Sequence, residues 1–552
     1  MRTIPLLLAL LAVVAPRAHA ASIVGSKHDL SATGSRTVQA ATETEICIFC
    51  HTPHKASTIA PLWNRNNSTA VYTLYNSSTT KASIGQPTGD SKLCLSCHDG
   101  TVALGMVRSR TTPITMKGGV STIPPGETNL GTDLSDDHPI SFKYDASLVS
   151  QNGQLHSPPI NGLVQLDANG YMQCTSCHNA HDPQYGHFLV KDNTASALCI
   201  TCHNMTGWSS SIHATSSKTW NGAGVNPWPR SSLATVAANA CEGCHNPHTA
   251  GGKKRLLNYA AEESNCYPCH NGNIGSPATK NIQAEFSKAS THPVINTTGI
   301  HDPTEAILVP SGTRHVECED CHNSHAATTA PASIPGGATG GQNGVAGISS
   351  AGTTVTQVTY EYELCFRCHA ETAKGPSYVT RQFPNINTRL EFTNMGGTNS
   401  FHPVVLVGRN SDVPSLRSPW TTASKMACSD CHNNNAGPNA GGTGPNGPHG
   451  STIQPLLERS NNIADSAANT SNSALCYKCH NFVNTTFKHD THNERTSCAT
   501  CHDPHGSPNK RLINFNTAVV SGARTYVSTG VRHGYCNLTC HGTPHSSTVK
   551  NY

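Results

Sequence analysis

Cysteine and histidine recur in this chain in one arrangement. Eleven stretches read Cys-x-x-Cys-His: Cys47, Cys50 and His51; Cys94, Cys97 and His98; Cys174, Cys177 and His178; Cys199, Cys202 and His203; Cys241, Cys244 and His245; Cys266, Cys269 and His270; Cys318, Cys321 and His322; Cys365, Cys368 and His369; Cys428, Cys431 and His432; Cys476, Cys479 and His480; Cys498, Cys501 and His502. A twelfth, Cys536, Cys540 and His541, has one extra residue between its cysteines. These motifs use all 24 cysteines and leave none for a disulfide. The spacing is that of a c-type haem attachment site. Two residues between the thiols make one turn of chain, so both sulfurs can add to the vinyl groups of one porphyrin. The histidine that follows then lies under the iron as its proximal ligand. A zinc knuckle or a redox dithiol uses Cys-x-x-Cys too, but neither needs a histidine directly after every second cysteine. The expected cofactor is haem c, about twelve per chain.

The 32 histidines exceed the proximal set. Methionine, the other common distal ligand, occurs only 7 times and at no fixed place beside the motifs. Bis-histidine ligation is therefore expected for most or all irons. One group of distal candidates, His54, His181, His248, His325 and His505, lies three residues after a proximal histidine. Such a residue points away from its own site and is expected to reach a neighbouring one. A second group lies upstream of the motifs: His28, His138, His213, His292, His402 and His492. Three of these precede proline, which holds the chain extended. Cys428-Ser-Asp-Cys431-His432-Asn-Asn-Asn lacks the following histidine, and His449 is the expected substitute. His545 is then surplus and competes with His28 as an end ligand. His156, His187, His301, His315, His489 and His533 remain as spares.

The motifs pair into a repeat: an upstream histidine, a first motif, a spacer, then a second motif. Six di-haem modules follow, at 21–130, 131–207, 208–285, 286–395, 396–484 and 485–552, after a leader at 1–20. The fold expected is mostly irregular loop, with short α-helices at the attachment motifs and few short strands. No module is expected to carry a hydrophobic core of its own; the haems would form the core. Stretches 120–136, 326–359 and 437–450, rich in Gly, Ser, Thr and Pro, read as surface loops.

Composition agrees with a core supplied from outside the polypeptide. Hydrophobic residues are 36% and aromatics 5%, against about 45–50% apolar in ordinary domains. Such a chain has little with which to offset its conformational entropy. Arg2, the apolar run Leu6–Val14 and Ala18-His19-Ala20 read as a cleaved secretory signal. The run is shorter than the about 20 residues needed to cross a bilayer. The formal net charge is +4, but the carboxylates of each haem outweigh its ferric charge. A basic polypeptide balance is thus no sign of a nucleic-acid partner.

The motifs HTPH, HNPH and LCxxCH, with KHDLS, DDHPISF and GPHGS, resemble the doubled-CxxCH multihaem cytochromes of metal-respiring bacteria. That resemblance implies respiratory electron transfer in the periplasm, at the outer membrane or outside the cell. The partners it implies are other cytochromes or extracellular acceptors such as metal oxides, with outer-membrane association or a homopolymer among its forms. The leading expectation is an electron carrier and not an enzyme. The alternatives are a multihaem reductase with one open iron and a filament subunit.

Overall fold

The computed structural model describes residues 22–551 apart from 35, 59, 159–161, 276–279, 297–301, 309–314, 372–377, 385–386, 394–396, 482–489 and 546–549. The leader at 1–20 and the spares His301 and His489 lie outside the described residues. The chain divides into two compact regions. One comprises residues up to Tyr75, Lys81–Asn193 and Ala197–Cys202; the other comprises Asn76–Thr80, Thr194–Ser196 and residues from His203 onward.

Regular structure is short. The longest helices are Gly89–His98 and Glu361–His369, with Glu263–His270 and Ala146–Asn152 behind them. Three of these four run into a second motif and stop at its histidine. First motifs make only a turn: α-helical at Cys174–Cys177, Cys318–Cys321 and Cys498–Cys501, and 3₁₀ at Cys47–Phe49 and Cys428–Asp430. Two-residue antiparallel pairs join distant loops, as in Phe142–Lys143 with Tyr171–Met172 and Ser400–Phe401 with Gly506–Ser507. Among the described residues the one long sheet is C-terminal, where Val520–Gly530 pairs antiparallel with His533–Cys540, flanked by Thr543–His545 and Lys550–Asn551.

The polypeptide holds small apolar clusters, which corrects the expectation that it carries no hydrophobic core of its own. Ile348, Tyr362, Phe366, Phe392, Phe401, Val404 and Val405 pack around the helix Glu361–His369. Ala40, Phe49, Leu104 and Met116 form another, and Ile513, Phe515, Val520 and Leu538 a third. Phe49, Phe366 and Leu538 lie between the cysteines of their motifs. The intervening residues turn away from the sulfurs, so an apolar one anchors the attachment turn in protein. A fully buried side chain of this size contributes about 1.5–3 kcal/mol.

The 326–359 stretch is not simply a surface loop. It forms the hairpin Gly347–Ile348 with Thr354–Val355, buries Val345 and Val358 against Leu364, and places Ile348 in the cluster of Tyr362 and Phe366. Gly347 is needed there, because a Cβ would sit 2.7 Å from the carbonyl oxygen of Glu363.

Candidate haem-attachment and axial-ligand sites

The attachment turn of each first motif is closed by its own backbone. The histidine N–H donates to the carbonyl of the first cysteine: His51 to Cys47 at 2.8 Å, His245 to Cys241 at 2.8 Å, His322 to Cys318 at 3.0 Å and His502 to Cys498 at 2.9 Å. In several first motifs the residue before the second cysteine reaches back to cap the turn. Asp320 accepts from the N–H of Glu317 at 2.8 Å, Asp430 from Ala427 at 2.8 Å, and the Ser176 hydroxyl from Gln173 at 3.2 Å.

A return loop then docks on the second cysteine. The N–H of Asn64 donates to the Cys50 carbonyl at 2.9 Å, Asn258 to Cys244 at 2.8 Å, Glu458 to Cys431 at 2.9 Å and Asn514 to Cys501 at 2.8 Å. Just before each docking residue the backbone turns left-handed, with φ of 61° at Leu62, 59° at Arg255, 57° at Leu456 and 62° at Arg511. Non-glycine residues rarely adopt this conformation and hold it only where the surroundings enforce it. Here it aims a carbonyl at the proximal ring. His245 Nδ1 donates to Arg255 O at 2.8 Å, His502 Nδ1 to Arg511 O at 2.9 Å and His432 Nδ1 to Pro455 O at 3.1 Å. The repeated Lys-Arg-Leu-x-Asn of 254–258 and 510–514 was the available sequence signal for this loop.

The histidines meet in pairs. For first motifs, His51 faces His181 with ring centres 6.0 Å apart and planes 18° from parallel. His245 and His325 stand at 6.2 Å and 10°, His322 and His449 at 6.1 Å and 15°, and His432 and His505 at 6.1 Å and 39°. For second motifs the rings cross more steeply. His98 and His28 stand at 6.2 Å and 66°, His270 and His213 at 6.2 Å and 75°, His369 and His292 at 6.2 Å and 64°, and His480 and His402 at 6.3 Å and 58°. A metal–imidazole bond of about 2.0–2.1 Å on each side, with the ring centre roughly 1.1 Å behind the nitrogen, separates two ring centres by roughly 6.2 Å. The spacing thus fits one iron between each pair.

The protonation pattern fits as well. Distal rings also give Nδ1–H to backbone: His28 to Ala180 O at 3.1 Å, His213 to Ser324 O at 2.9 Å, His292 to Pro448 O at 2.8 Å and His402 to Pro504 O at 2.6 Å. A hydrogen bond of this kind fixes the tautomer that leaves Nε2 as the ligand atom. Burial pushes His270, His325, His432 and His480 down to about 4, and His449 to about 3. These imidazoles are therefore neutral near pH 7, as a ligand must be.

Neighbouring motifs touch through their thiols. Within a module the second cysteines approach, and burial with the nearby partner pushes Cys50 (beside Cys97) and Cys244 (beside Cys269) up to about 12. Between modules the first cysteines are hydrogen-bonded, Cys94 to Cys174, Cys266 to Cys318, Cys365 to Cys428 and Cys476 to Cys498, which raises the first-named thiol of each pair. Basic groups that sequence reasoning missed sit beside these contacts. Arg367 meets Asp320 at 3.2 Å and Lys478 meets Glu458 at 3.1 Å. Arg65 is fully buried and donates to the carbonyls of Ser96, Ala103 and Leu104 and to the Ser96 hydroxyl.

The twelfth motif is built differently. Cys536 and Cys540 lie on a strand, not a helical turn. His541 points its Nε2 at Asp465 Oδ1, 3.3 Å away, while His492 pairs with His545 at 6.1 Å and 30°. His545 is thus not surplus in the structure, and neither is His28. Of the spares, His315 meets Glu305 at 3.2 Å, and His187 offers its carbonyl to His178 Nδ1 at 2.9 Å. His138 donates from Nδ1 to Pro139 O at 3.0 Å. His54 is exposed and its ring has no hydrogen-bond, ion-pair or ring partner among the described residues.

Residues 168–207, 234–275 and 489–520 match the family model of the doubled CXXCH motif. The first two stretches cover both motifs of the second and third modules. The last covers Cys498–His502 but not Cys536–His541. No curated protein matches the chain. These matches indicate covalent haem c binding and a chain similar to multihaem c-type cytochromes of electron transfer.

Proposed function

We propose that this protein is an exported electron carrier that holds twelve haems c, each iron between two histidines. The observation that carries the reading is the set of proximal–distal ring pairs at 6.0–6.3 Å. Haem c, when bound, supplies a reversible one-electron iron centre. The thiols fix each porphyrin edge, and the imidazole pairs fill both axial positions. The carbonyls at Ala180, Ser324, Pro448 and Pro504 hold the distal rings in place. With both axial positions filled, a substrate has no iron to bind, which supports a carrier over a reductase. The close approach of neighbouring thiols brings successive sites within contact of one another.

The signal-like leader supports export, and the resemblance to cytochromes of metal-respiring bacteria supports a respiratory route. Other cytochromes, or acceptors such as metal oxides at the outer membrane or beyond the cell, are the partners proposed. Intact mass and electron paramagnetic resonance test the reading. Twelve thioether-bound haems and wholly low-spin iron are expected, in two spectral classes, because first-motif rings lie nearer parallel and second-motif rings nearer perpendicular. A redox titration should be broad and at low potential, since no methionine ligand raises it. Fewer than ten haems, or one sharp wave at positive potential, would overturn the proposal.

A further inference from the structure

Cations stand beside the attachment turns of several modules, and in three of them the cation comes with an acid. In the fourth module Arg367, which acts on the Cys321 thiol, meets Asp320 at 3.2 Å. In the fifth, Lys478 acts on Cys431 and meets Glu458 at 3.1 Å and Asp430 at 3.9 Å. In the sixth, Arg381 acts on Cys501 and meets Asp503 at 3.5 Å. The positive charge is cancelled at each of these sites. In the third module the charged group acting on Cys244 is itself an acid, Glu319.

The first module has a cation alone. Arg65 is 0% exposed. Its Nε donates to the Ser96 hydroxyl at 3.3 Å, Nη1 to Leu104 O at 2.8 Å, and Nη2 to Ser96 O at 3.0 Å and Ala103 O at 3.1 Å. None of these acceptors is a carboxylate, and Arg65 has no ion-pair partner among the described residues. Asp99, a buried acid of the same module, is committed to the Tyr72 hydroxyl at 2.7 Å and to the N–H and hydroxyl of Thr101, each at 2.8 Å. Arg65 follows Asn64, which docks on Cys50, and its donors reach Ser96, the residue before Cys97. It thus spans the two turns that carry Cys50 and Cys97. Burial pushes both thiols up, and the Arg65 charge acts on both in the opposite sense. A buried charge without a countercharge is costly. A neutral donor could tie the same carbonyls together without that cost, so the tie alone does not account for the charge.

We infer that Arg65 sets the potentials of the first module: its uncancelled charge favours the ferrous state of the irons held at His51 and His98 and keeps both at the upper end of the chain's range. A fixed positive charge attracts the added electron, and a water-poor interior screens it weakly. The step concerned is one electron onto each iron, with no bond made or broken. Electrons that enter the chain elsewhere then settle in the first module. The position before the second cysteine shows how other modules avoid this. Asp320 and Asp430 occupy it and meet a cation there, whereas Ser96 occupies it before Cys97. The inference rests on the bis-histidine reading above.

The experiment uses the full haem-loaded protein in four forms: wild type, Arg65→Met, Arg65→Lys and Ser96→Asp. Each is reduced stepwise in an electrochemical cell and followed by its visible absorbance. In wild type, two of the twelve haems should reduce first, above the broad remainder. Arg65→Met should move that fraction down by about tenfold in each one-electron equilibrium, or about 59 mV, and leave the remainder where it was. Arg65→Lys keeps the charge and should keep the fraction high. Ser96→Asp retains Arg65 but gives it the acid that the fourth and fifth modules have. It should lower the same fraction, which decides the matter even if Arg65→Met does not fold. Electron paramagnetic resonance of the oxidised proteins separates the two readings. High-spin iron in wild type breaks the bis-histidine reading, whereas wholly low-spin proteins with coincident titrations break this inference alone. A wild type without an early fraction also overturns it. So does a melting temperature that falls in Arg65→Met and Arg65→Lys alike while the potentials stay put, since Arg65 would then be only a structural tie.

Discussion

The second motif of the fourth module and the second motif of the sixth bind by the same residue types, yet they are held by different means. Cys365 and Cys368 lie on the helix Glu361–His369, with Phe366 between them in the largest apolar cluster. Arg367, also between them, donates to the backbone and carboxylate of Asp320 in the preceding first motif. Cys536 and Cys540 lie on a strand whose register is set by backbone pairing, Cys536 with Tyr526 and Cys540 with Val520. The helix ties its site into the body of the molecule through side chains. The hairpin ties its site mainly to itself, with Leu538 as its contact to the cluster of Ile513, Phe515 and Val520. The difference follows from one inserted residue. Cys-x-x-Cys places both sulfurs on one helical turn, whereas Cys-x-x-x-Cys puts them four apart, which on a strand returns them to one face.

The largest expected consequence concerns removal of a haem. Cys365→Ser with Cys368→Ser should lose one haem by mass and leave Tyr362, Phe366, Val404 and Val405 beside an unfilled space. Losses of buried volume on that scale cost more than about 5 kcal/mol, so a large drop in melting temperature, or failure to fold, is expected. Cys536→Ser with Cys540→Ser should also lose one haem but shift melting little. Equal losses in the two proteins would break the comparison.

A smaller effect separates the sites by charge. Arg367 and Asp320 are both buried, with side chains 8% and 11% exposed. Arg367→Gln leaves Asp320 without its countercharge, at a cost of about 3–5 kcal/mol. It also removes a positive charge near two irons, which should lower their potentials. The C-terminal motif, Cys536-Asn-Leu-Thr-Cys540, carries no charge between its cysteines, and Asn537→Ala there should leave both melting and potentials unchanged. Chemical denaturation and a spectroscopic redox titration of the two variants check this. An Arg367→Gln protein as stable as wild type would show that the pair is not what locks the fourth module to its neighbour.

Much of this was legible in residue spacing. The attachment turns, the short helices at most of them and the scarcity of strands follow from local chemistry: a four-residue turn, a following histidine, many glycines and prolines. The eight histidines that face a proximal one in the structure were all among the candidates, because an exceptional number of histidines demands a use. Which histidine serves which motif was not. His325 reaches His245, 80 positions earlier, and His449 reaches His322, so the pairing depends on how whole modules stack. The capping acids Asp320 and Asp430 and the left-handed Arg255 and Arg511 were written in the sequence, but as single residues whose role depends on a backbone direction. The small apolar clusters were missed because their members are scattered. Ile348, Phe392 and Val404 come from three loops with no periodicity between them.

The smallest effect, confined to one iron, is the sharpest test of the strand-built site. The structure pairs His492 with His545 at a distance that fits an iron, and turns His541 outward to Asp465, with φ of 50° at His541 itself. The strand explains this. A histidine directly after a helical second cysteine continues around the turn and comes under the ring, whereas His541 follows the last residue of the strand in a left-handed turn, and its ring goes to Asp465. Thr543–His545 pairs back along the same strand, Leu538 opposite His545, and so returns a second histidine to the face that His541 leaves. His545→Ala should therefore convert one haem to high-spin while His541→Ala leaves the spectrum low-spin. Neither should change stability by more than about 1 kcal/mol, as His541 is exposed and His545 only half-buried. Magnetic circular dichroism of the two variants, each confirmed by mass to carry its full set of haems, reads the result directly. The opposite outcome, a high-spin haem only in His541→Ala, would mean that covalent attachment redraws the hairpin so that the extra residue loops out and the last site matches the other eleven.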